Sequence, residues 1–300
     1  LTPWTRRGLR GGSSSAASPP ETLRARSNAG SPSAAQCRSI RRSVHREFRP
    51  MAAPVQAPDL HLDTELRVRN RGIRVQLDVP QRTESAAWFL PTARTLANRV
   101  IHIAVQDVAA AGEPISCKAG CGACCKQLVP ILPSEARRIA QLVEEMPQPR
   151  QGVIRERFAQ AAAAMQAAQV DRPLRKAANT LTPDQANTLG MKYFEMGVSC
   201  PFLEEGSCSI YEERPLICRE YLVSSPASEC EWPTAERIRK VAIPAKVAQA
   251  AMQLEQDREG RRWVALTHSL DYAKAHPEPT DRAPAPELVT RFFNALADAK

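Results

Sequence analysis

The sequence has few aromatic residues and no long apolar run, and both absences limit what the chain can be. Aromatic residues make up 5% of its 300 positions, while alanine is plentiful, a composition that favours helix. The most apolar stretch, 96–111, is interrupted by polar side chains that include Arg99 and Asp107, so it falls short of the roughly 20 apolar residues that cross a bilayer. We therefore expect no membrane partner.

Acidic residues are almost missing from the first fifty positions. Residues 1–50 contain ten arginines, no lysine and only two acidic residues, Glu21 and Glu47, while the other 250 residues carry 31 basic and 30 acidic side chains. The positive net charge thus belongs to the first segment, and the rest is nearly neutral. Because a nucleic-acid interface needs basic residues clustered on the folded domain, we expect no nucleic-acid partner.

The segment 1–50 is rich in Arg, Ser, Pro, Ala and Gly and has almost no apolar periodicity, which predicts disorder. Arg6-Arg7 is followed by glycine and serine rather than an apolar stretch, which argues against a twin-arginine signal. The composition also resembles an organelle transit peptide. We favour a third interpretation, in which Met51 is the true start and Cys37 has no role.

With neither a signal peptide nor an anchor predicted, we expect a cytoplasmic location. In that reducing compartment, clustered cysteines indicate metal or redox chemistry more often than structural disulfides.

Periodicity predicts a mainly α protein with a small N-terminal β-hairpin and irregular, cysteine-rich metal-binding loops between the helices. The hairpin is expected within 65–79, turning at Asn70-Arg71-Gly72, and Pro215 is expected to open a short helical turn. The predicted helices are 92–111, a helix capped by Ser134-Glu135, 151–169, 182–196, 244–257, 263–275 and 285–299. We assign 51–275 to a cysteine-cluster domain and 276–300 to a proline-rich linker and terminal helix, which we expect to pack on its own domain.

Seven of the nine cysteines lie in two short windows. The first contains Cys117, Cys121, Cys124 and Cys125, and the second contains Cys200, Cys208 and Cys218. Spacings of two to four residues let one loop offer several sulfurs to one ion, and the glycines at 120 and 122 let the backbone bend sharply. The pattern predicts a centre that holds Zn²⁺, iron or an iron–sulfur cluster, with these seven cysteines as candidate ligands.

Several alternatives stay open at this point. Seven thiols exceed the four that one tetrahedral zinc or one four-iron cluster takes, so there are either two metal sites or a spare thiol, and Cys125 is the less secure ligand. Cys230 is either an eighth ligand or a core thiol. Arg214 and Arg219 are candidates to donate hydrogen bonds to sulfur and to offset the thiolate charge.

Both windows together resemble the YkgJ-like cysteine-cluster family, which is described as a zinc- or iron-chelating domain. The first window matches its CxxxCxxCC pattern. The second matches through Cys200-Pro201-Phe202-Leu203, Cys208-Ser209-Ile210-Tyr211 and the stretch from Arg214 to Arg219. The resemblance covers about residues 115–222 and implies metal chelation rather than a particular reaction. Flagellin lysine methylases share a similar cysteine window and are linked to S-adenosylmethionine and an iron–sulfur cluster.

Three functions therefore compete. In the first, the metal is structural or is handled as cargo. In the second, it serves an iron–sulfur oxidoreductase or protein methylase. In the third, it stabilises a helical surface that binds a protein partner. A radical S-adenosylmethionine barrel is disfavoured because Ala123 replaces the usual aromatic residue and the downstream segments read as helices. Gly120 and Gly122 lack the rest of a glycine-rich nucleotide loop.

Overall fold

The computed structural model describes residues 57–176, 182–234, 236–279 and 282–298. The basic segment 1–50, with Cys37, and Met51 lie outside the described residues, as do positions 280–281 of the predicted linker and 299 of the last predicted helix. In the described part, no helix is both long enough and apolar enough to span a membrane.

Helices dominate the described residues, and the predicted fold class is confirmed. The helices are α1 (Leu90–Ala110), α2 (Pro133–Glu145), α3 (Arg150–Ala167), α4 (Asp171–Lys176), α5 (Pro183–Glu195), α6 (Leu216–Glu220), α7 (Val247–Met252), α8 (Ser269–Ala275) and α9 (Ala285–Asp298). The strands are β1 (Leu60–Val68), β2 (Arg71–Val79), β3 (Thr83–Ser85), β4 (Pro130–Ile131), β5 (Leu203–Glu204), β6 (Ser207–Cys208), β7 (Val264–Ala265) and β8 (Arg282–Pro284).

The strands pair in twos and all pairs are antiparallel. The predicted hairpin is β1–β2, with Leu60 opposite Val79 and Val68 opposite Arg71. It begins five residues before the predicted range, and it turns at Arg69 and Asn70 rather than at Asn70-Arg71-Gly72, because Arg69 takes the left-handed conformation and Arg71 and Gly72 already pair with β1. The other pairs are β3–β8, β4–β7 and β5–β6. The pairs β3–β8, β4–β7 and β5–β6 are only two or three residues long on each strand. They therefore connect neighbouring loops and do not form a sheet layer of the fold.

A first core lies between the hairpin, α1, α7 and α9. Alternation along β2 buries Ile73, Val75 and Val79, and these side chains belong to the same apolar cluster as the buried face of α1. Phe292 of α9 lies 4.7 Å from Phe89, measured between ring centroids. The terminal helix therefore packs on its own domain, as the sequence predicted.

A second core lies between α2, α3 and α8 and reaches the second cysteine window. Phe202, beside Cys200, packs edge-on against Phe158 of α3 at 5.6 Å. Cys200 and Cys208 pack against this cluster. The second window is therefore attached directly to the helical core.

Three predicted helix boundaries are also wrong. The region 244–257 forms a helix only over Val247–Met252, because the next turn is closed by Asp257, whose carboxylate accepts the backbone N–H groups of Glu259 and Arg261. The region 263–275 begins as β7, which pairs with β4, and becomes helical only at Ser269. The N-cap of α2 is Leu132 rather than Ser134, because Pro133 takes the first helical position.

Candidate metal centre

The first cysteine window is a tight loop that ends in a 3₁₀ turn over Ala123–Lys126. Gly120 has φ +83°, a left-handed conformation that glycine adopts at no steric cost. The N–H of Cys121 donates to the carbonyl of Lys118 at 3.1 Å, and the N–H of Cys125 donates to that of Gly122 at 2.9 Å. These short-range hydrogen bonds curl the loop so that its thiols lie near one another.

The second window is built from a small hairpin and a short helix. Strands β5 and β6 place Cys208 opposite Leu203, with the left-handed residues Glu205 and Gly206 at the turn. Helix α6 then carries Cys218, as the sequence predicted for the turn opened by Pro215. The sulfur positions of this window thus depend on a strand turn and on a helix.

Backbone contacts join the two windows directly. The N–H of Cys200 donates to the carbonyl of Cys125 at 2.7 Å. A Cβ atom added to Gly122 would lie 2.3 Å from Leu203 Cδ1 and 2.7 Å from the carbonyl oxygen of Gly206. The first loop therefore packs against the β5–β6 turn so closely that only glycine fits at position 122.

The thiols surround two neighbouring cavities. Six of the seven candidate ligands line a cavity of about 120 Å³ between the windows, namely Cys121, Cys124, Cys125, Cys200, Cys208 and Cys218. Cys117 and Cys230 line an adjoining cavity of about 500 Å³, to which Cys121, Cys124 and Cys218 also contribute. The chain thus brings together six of the seven cysteines predicted from the sequence, and Cys117 lies beside them with Cys230.

No three of the described thiols lie as close together as the sulfurs of a tetrahedral zinc site. In a tetrahedral zinc site with Zn–S bonds of about 2.3 Å, the sulfurs lie about 3.8 Å apart. In the described part of the chain, no three cysteine sulfurs lie within 4.8 Å of one another. Asp257, Glu259 and His276 are the three metal-binding side chains there whose ligand atoms do meet this limit. The thiols therefore surround a volume instead of converging on a point.

Most of these thiols are poorly solvated, and this changes their acidity. Loss of contact with water raises the pKa of Cys200 to about 12 and raises those of Cys208 and Cys218. A hydrogen bond between Cys124 and Cys125 lowers the pKa of Cys124 to about 7 and raises that of Cys125. Without a cation, most of these groups are neutral at pH 7, so a metal has to displace their protons on binding.

The two arginines singled out from the sequence have different surroundings. Arg214 lines the smaller cavity, stacks 3.8 Å above the ring of Tyr211 and favours the thiolate forms of Cys117, Cys124 and Cys208. Arg219 is buried, and its guanidinium donates to the carbonyls of Arg214 and Glu212 and to Asn98 Oδ1. Arg219 therefore holds the loop before α6 and adds positive charge near Cys208, whereas Arg214 supplies positive charge to three of the thiols.

Sequence reasoning missed the role of Glu135. This side chain is 1% exposed, accepts the N–H of Leu132 at 3.1 Å and accepts the N–H of Leu216 at 2.7 Å. One carboxylate thus joins the start of α2 to the start of α6, which carries Cys218. The local signal was a glutamate at the third position of a helix opened by proline, but its contact with Leu216 is not visible in the sequence.

A compact group formed by Asp257, Glu259 and His276 is already occupied by a guanidinium. Arg261 contacts Asp257 at 2.6 Å, Glu259 at 3.0 Å and His276 at 2.8 Å. Because this arginine supplies the positive charge that a metal would bring, we interpret the group as an ion-pair network that fixes the loop after α7.

Comparison with known proteins bears on the cysteine windows. No curated protein and no solved structure matches the chain. The description of the matching family model names metal chelation, so metal binding in general is supported for the matched segment. Residues 116–242 match the family "CxxCxxCC: Putative zinc- or iron-chelating domain", and this match, which contains both windows, confirms the resemblance to the cysteine-cluster family.

Proposed function

We propose that the cavity between the two windows binds a polynuclear iron–sulfur cluster, ligated by four of the six cysteines that line it. The observation that carries this proposal is the arrangement of the sulfurs: six thiols surround about 120 Å³, and no three described cysteine sulfurs lie mutually within 4.8 Å. A single ion needs no such volume, because a water molecule already fits in about 10–15 Å³ of comparable space. Thiolates are the usual ligands of iron–sulfur clusters.

The surroundings suit a cluster that carries several negative thiolates. Arg214 lies in the cavity wall, and apolar side chains such as Phe202, Ile210 and Leu266 supply much of the rest. Burial, hydrogen bonding to sulfur and nearby charge are the features by which a protein adjusts a cluster's reduction potential. We propose that Arg214 offsets thiolate charge while the apolar wall limits contact with water.

The second cavity gives Cys117 and Cys230 a role. The sulfur of Cys117 accepts the N–H of Val223 at 3.4 Å, and Cys230 is buried in a cluster with Val223 and Ile238. These contacts support a positioning role for both thiols, next to the cluster rather than as its primary ligands. The eight described cysteines carry free thiols, which is consistent with the reducing, cytoplasmic compartment that we propose.

A second candidate function is a structural zinc centre that ties the windows together without redox chemistry. It is favoured by the direct hydrogen bond from the N–H of Cys200 to the carbonyl of Cys125, which holds the two loops close enough for one metal site to connect them.

The enzymatic alternative, an oxidoreductase or protein methylase dependent on the cluster, is favoured by a separate cavity that shares part of its wall with the thiol cavity.

The test is anaerobic purification of the full chain, followed by metal analysis, acid-labile sulfide analysis and a visible spectrum of one sample. Iron with a comparable amount of sulfide and a broad visible absorbance would support the cluster. Zinc without sulfide would refute it and leave the structural centre. Neither metal above trace level would count against both functions.

Cysteine variants then test the ligand set. Cys121→Ser and Cys208→Ser are expected to lower bound metal per chain, since both line the smaller cavity, and Cys117→Ser is expected to retain most of it. Cys37→Ser, outside both windows, is the matched control. Unchanged metal content in the Cys121 or Cys208 variant would remove that residue from the ligand set, and strong metal loss in the Cys117 variant would enlarge the set.

A further inference from the structure

A cavity of about 730 Å³ adjoins the cysteine cavity. Four residues line both spaces, namely Gln127, Leu128, Pro130 and Tyr221. Within this shared wall, Gln127 Nε2 donates to the hydroxyl of Tyr221 at 3.4 Å. The larger cavity is therefore separated from the thiols by a single layer of side chains.

One face of α5, apolar except for Asn187, supplies one side of this cavity. Asn187, Gly190, Met191 and Phe194 line it, and their spacing of three and four residues places them on one face of the helix. The opposite face is committed to packing, because Leu189 and Tyr193 are buried with Val170 and Leu174. The Met191–Phe194 face thus borders an open volume while the helix stays anchored behind it.

Aromatic and sulfur-containing side chains complete the walls. Trp263, Tyr221 and Phe194 supply aromatic rings, and Met191 and Met252 supply flexible apolar groups. Rings attract planar partners by stacking and edge contacts, and methionine adapts to irregular shapes. A volume of this size lies in the range of about 300–1,000 Å³ that is typical of small-molecule sites.

Among the described residues, the only charged side chain in the wall is Lys240, and no carboxylate lines the cavity. Its ammonium group lies 5.6 Å from the centre of the Tyr221 ring, and no ion pair of Lys240 exists within the described part of the chain. A lone cation at the edge of an aromatic cavity favours a ligand with one negative group and disfavours a cationic one.

We propose that this cavity binds a small aromatic anion, with its planar body between Phe194, Trp263 and Tyr221 and its acidic group at Lys240. The site stands on its own walls and does not depend on which metal the cysteines hold. Because Gln127 and Tyr221 separate the two spaces, a bound ligand would lie next to the metal centre.

The test uses two fluorescent probes that share one aromatic body. 1-Anilinonaphthalene-8-sulfonate carries a sulfonate, and N-phenyl-1-naphthylamine is its neutral counterpart. A Cβ added to Gly190 would meet no atom within 4 Å, so the ring in Gly190→Phe can extend into the cavity. We expect this variant to weaken both probes by about tenfold or more, and Lys240→Met to weaken only the sulfonate, by about two- to fivefold.

Gly152→Phe is the matched control, because Gly152 is an exposed glycine of α3 whose added Cβ meets only Gln148 Oε1, at an ordinary 3.6 Å. It is expected to bind both probes as the unmodified chain does, with unchanged metal content. Gly190→Leu replaces Gly190→Phe if the latter does not fold. Equal probe affinities in the Gly190 and Gly152 variants, or no saturable binding by the unmodified chain, would overturn the site. Equal weakening of both probes in Lys240→Met would overturn the anionic ligand.

Discussion

Substituting Gly122 by alanine tests whether the two cysteine windows pack together as described. The methyl carbon would lie 2.3 Å from Leu203 Cδ1 and 2.7 Å from the carbonyl oxygen of Gly206. The leucine can rotate away, but the carbonyl belongs to the tight β5–β6 turn, where Gly206 has φ +75°. The substitution must therefore separate the first loop from the second window.

The expected cost follows from the size of the overlap. A carbon–oxygen contact near 2.7 Å is well inside ordinary van der Waals separation, and forcing one extra methyl group into a packed site costs about 1–3 kcal/mol. For a domain of about 250 residues, each kcal/mol lowers Tm by about 2–4 °C. We expect Gly122→Ala to lower Tm by several degrees and to lower metal content, because sulfurs from both windows move apart.

The assay is thermal unfolding with metal analysis of the same anaerobic preparation. Gly152→Ala is the control, because it adds the same methyl group at an exposed helical position, where replacing glycine stabilises by about 0.5–1 kcal/mol. The two substitutions should thus shift Tm in opposite directions. If Gly122→Ala keeps both the Tm and the metal content of the unmodified chain, the close packing of the windows is refuted.

Three further predictions concern the surroundings of the centre. Burial raises the pKa of Glu220 from 4.5 to about 7, so as the pH rises the unfolded chain releases this proton first and the free energy of unfolding falls between those pH values. Glu220→Gln should therefore raise the free energy of unfolding by about 1–3 kcal/mol relative to the unmodified chain at pH 7.5 but little at pH 4.5. Equal increases at the two pH values in denaturant titrations would contradict this. Arg219→Lys should cost about 1–3 kcal/mol, since lysine cannot make the hydrogen bonds to Arg214 and Asn98 together, and an unchanged unfolding midpoint would disprove it. Anaerobic chelation should speed hydrogen exchange by a larger factor in the two cysteine windows than in β1–β2; acceleration by the same factor everywhere would exclude a local effect.

The parts of the fold that could be predicted from the sequence are those set by local pattern. Alternation along β2 and the apolar faces of α1 and α9 correspond to burial in the structure. The short strands could not be predicted in this way. Strand β8 lies in a proline-rich stretch and exists because β3, nearly two hundred residues earlier, pairs with it, and such a pairing leaves no periodic signal of its own.

In the candidate site, too, local features could be predicted from the sequence and long-range contacts could not. Cysteine spacing predicted that the thiols of each window would be close, and six of them line one cavity. Spacing could not show that Cys117 lines the adjoining cavity rather than the smaller one, or that its sulfur accepts the N–H of Val223, far along the chain. Nor could it reveal Glu135, whose contact with Leu216 spans 81 positions.

A metal bound across the two windows would stabilise the chain whatever its chemical role. The windows are joined at Cys125 and Cys200, and cross-linking positions that far apart restricts the unfolded chain by about 4 kcal/mol in the loop-entropy model. Loss of stability on chelation is therefore expected from a structural zinc and from an iron–sulfur cluster alike. The aromatic cavity provides a separate test of whether the centre is structural or reactive. A purely structural centre does not require a ligand on the far side of Tyr221 and Gln127. A change in the visible spectrum of the metal-loaded chain on binding 1-anilinonaphthalene-8-sulfonate, absent in Gly190→Phe, would connect the two sites and favour a reactive centre.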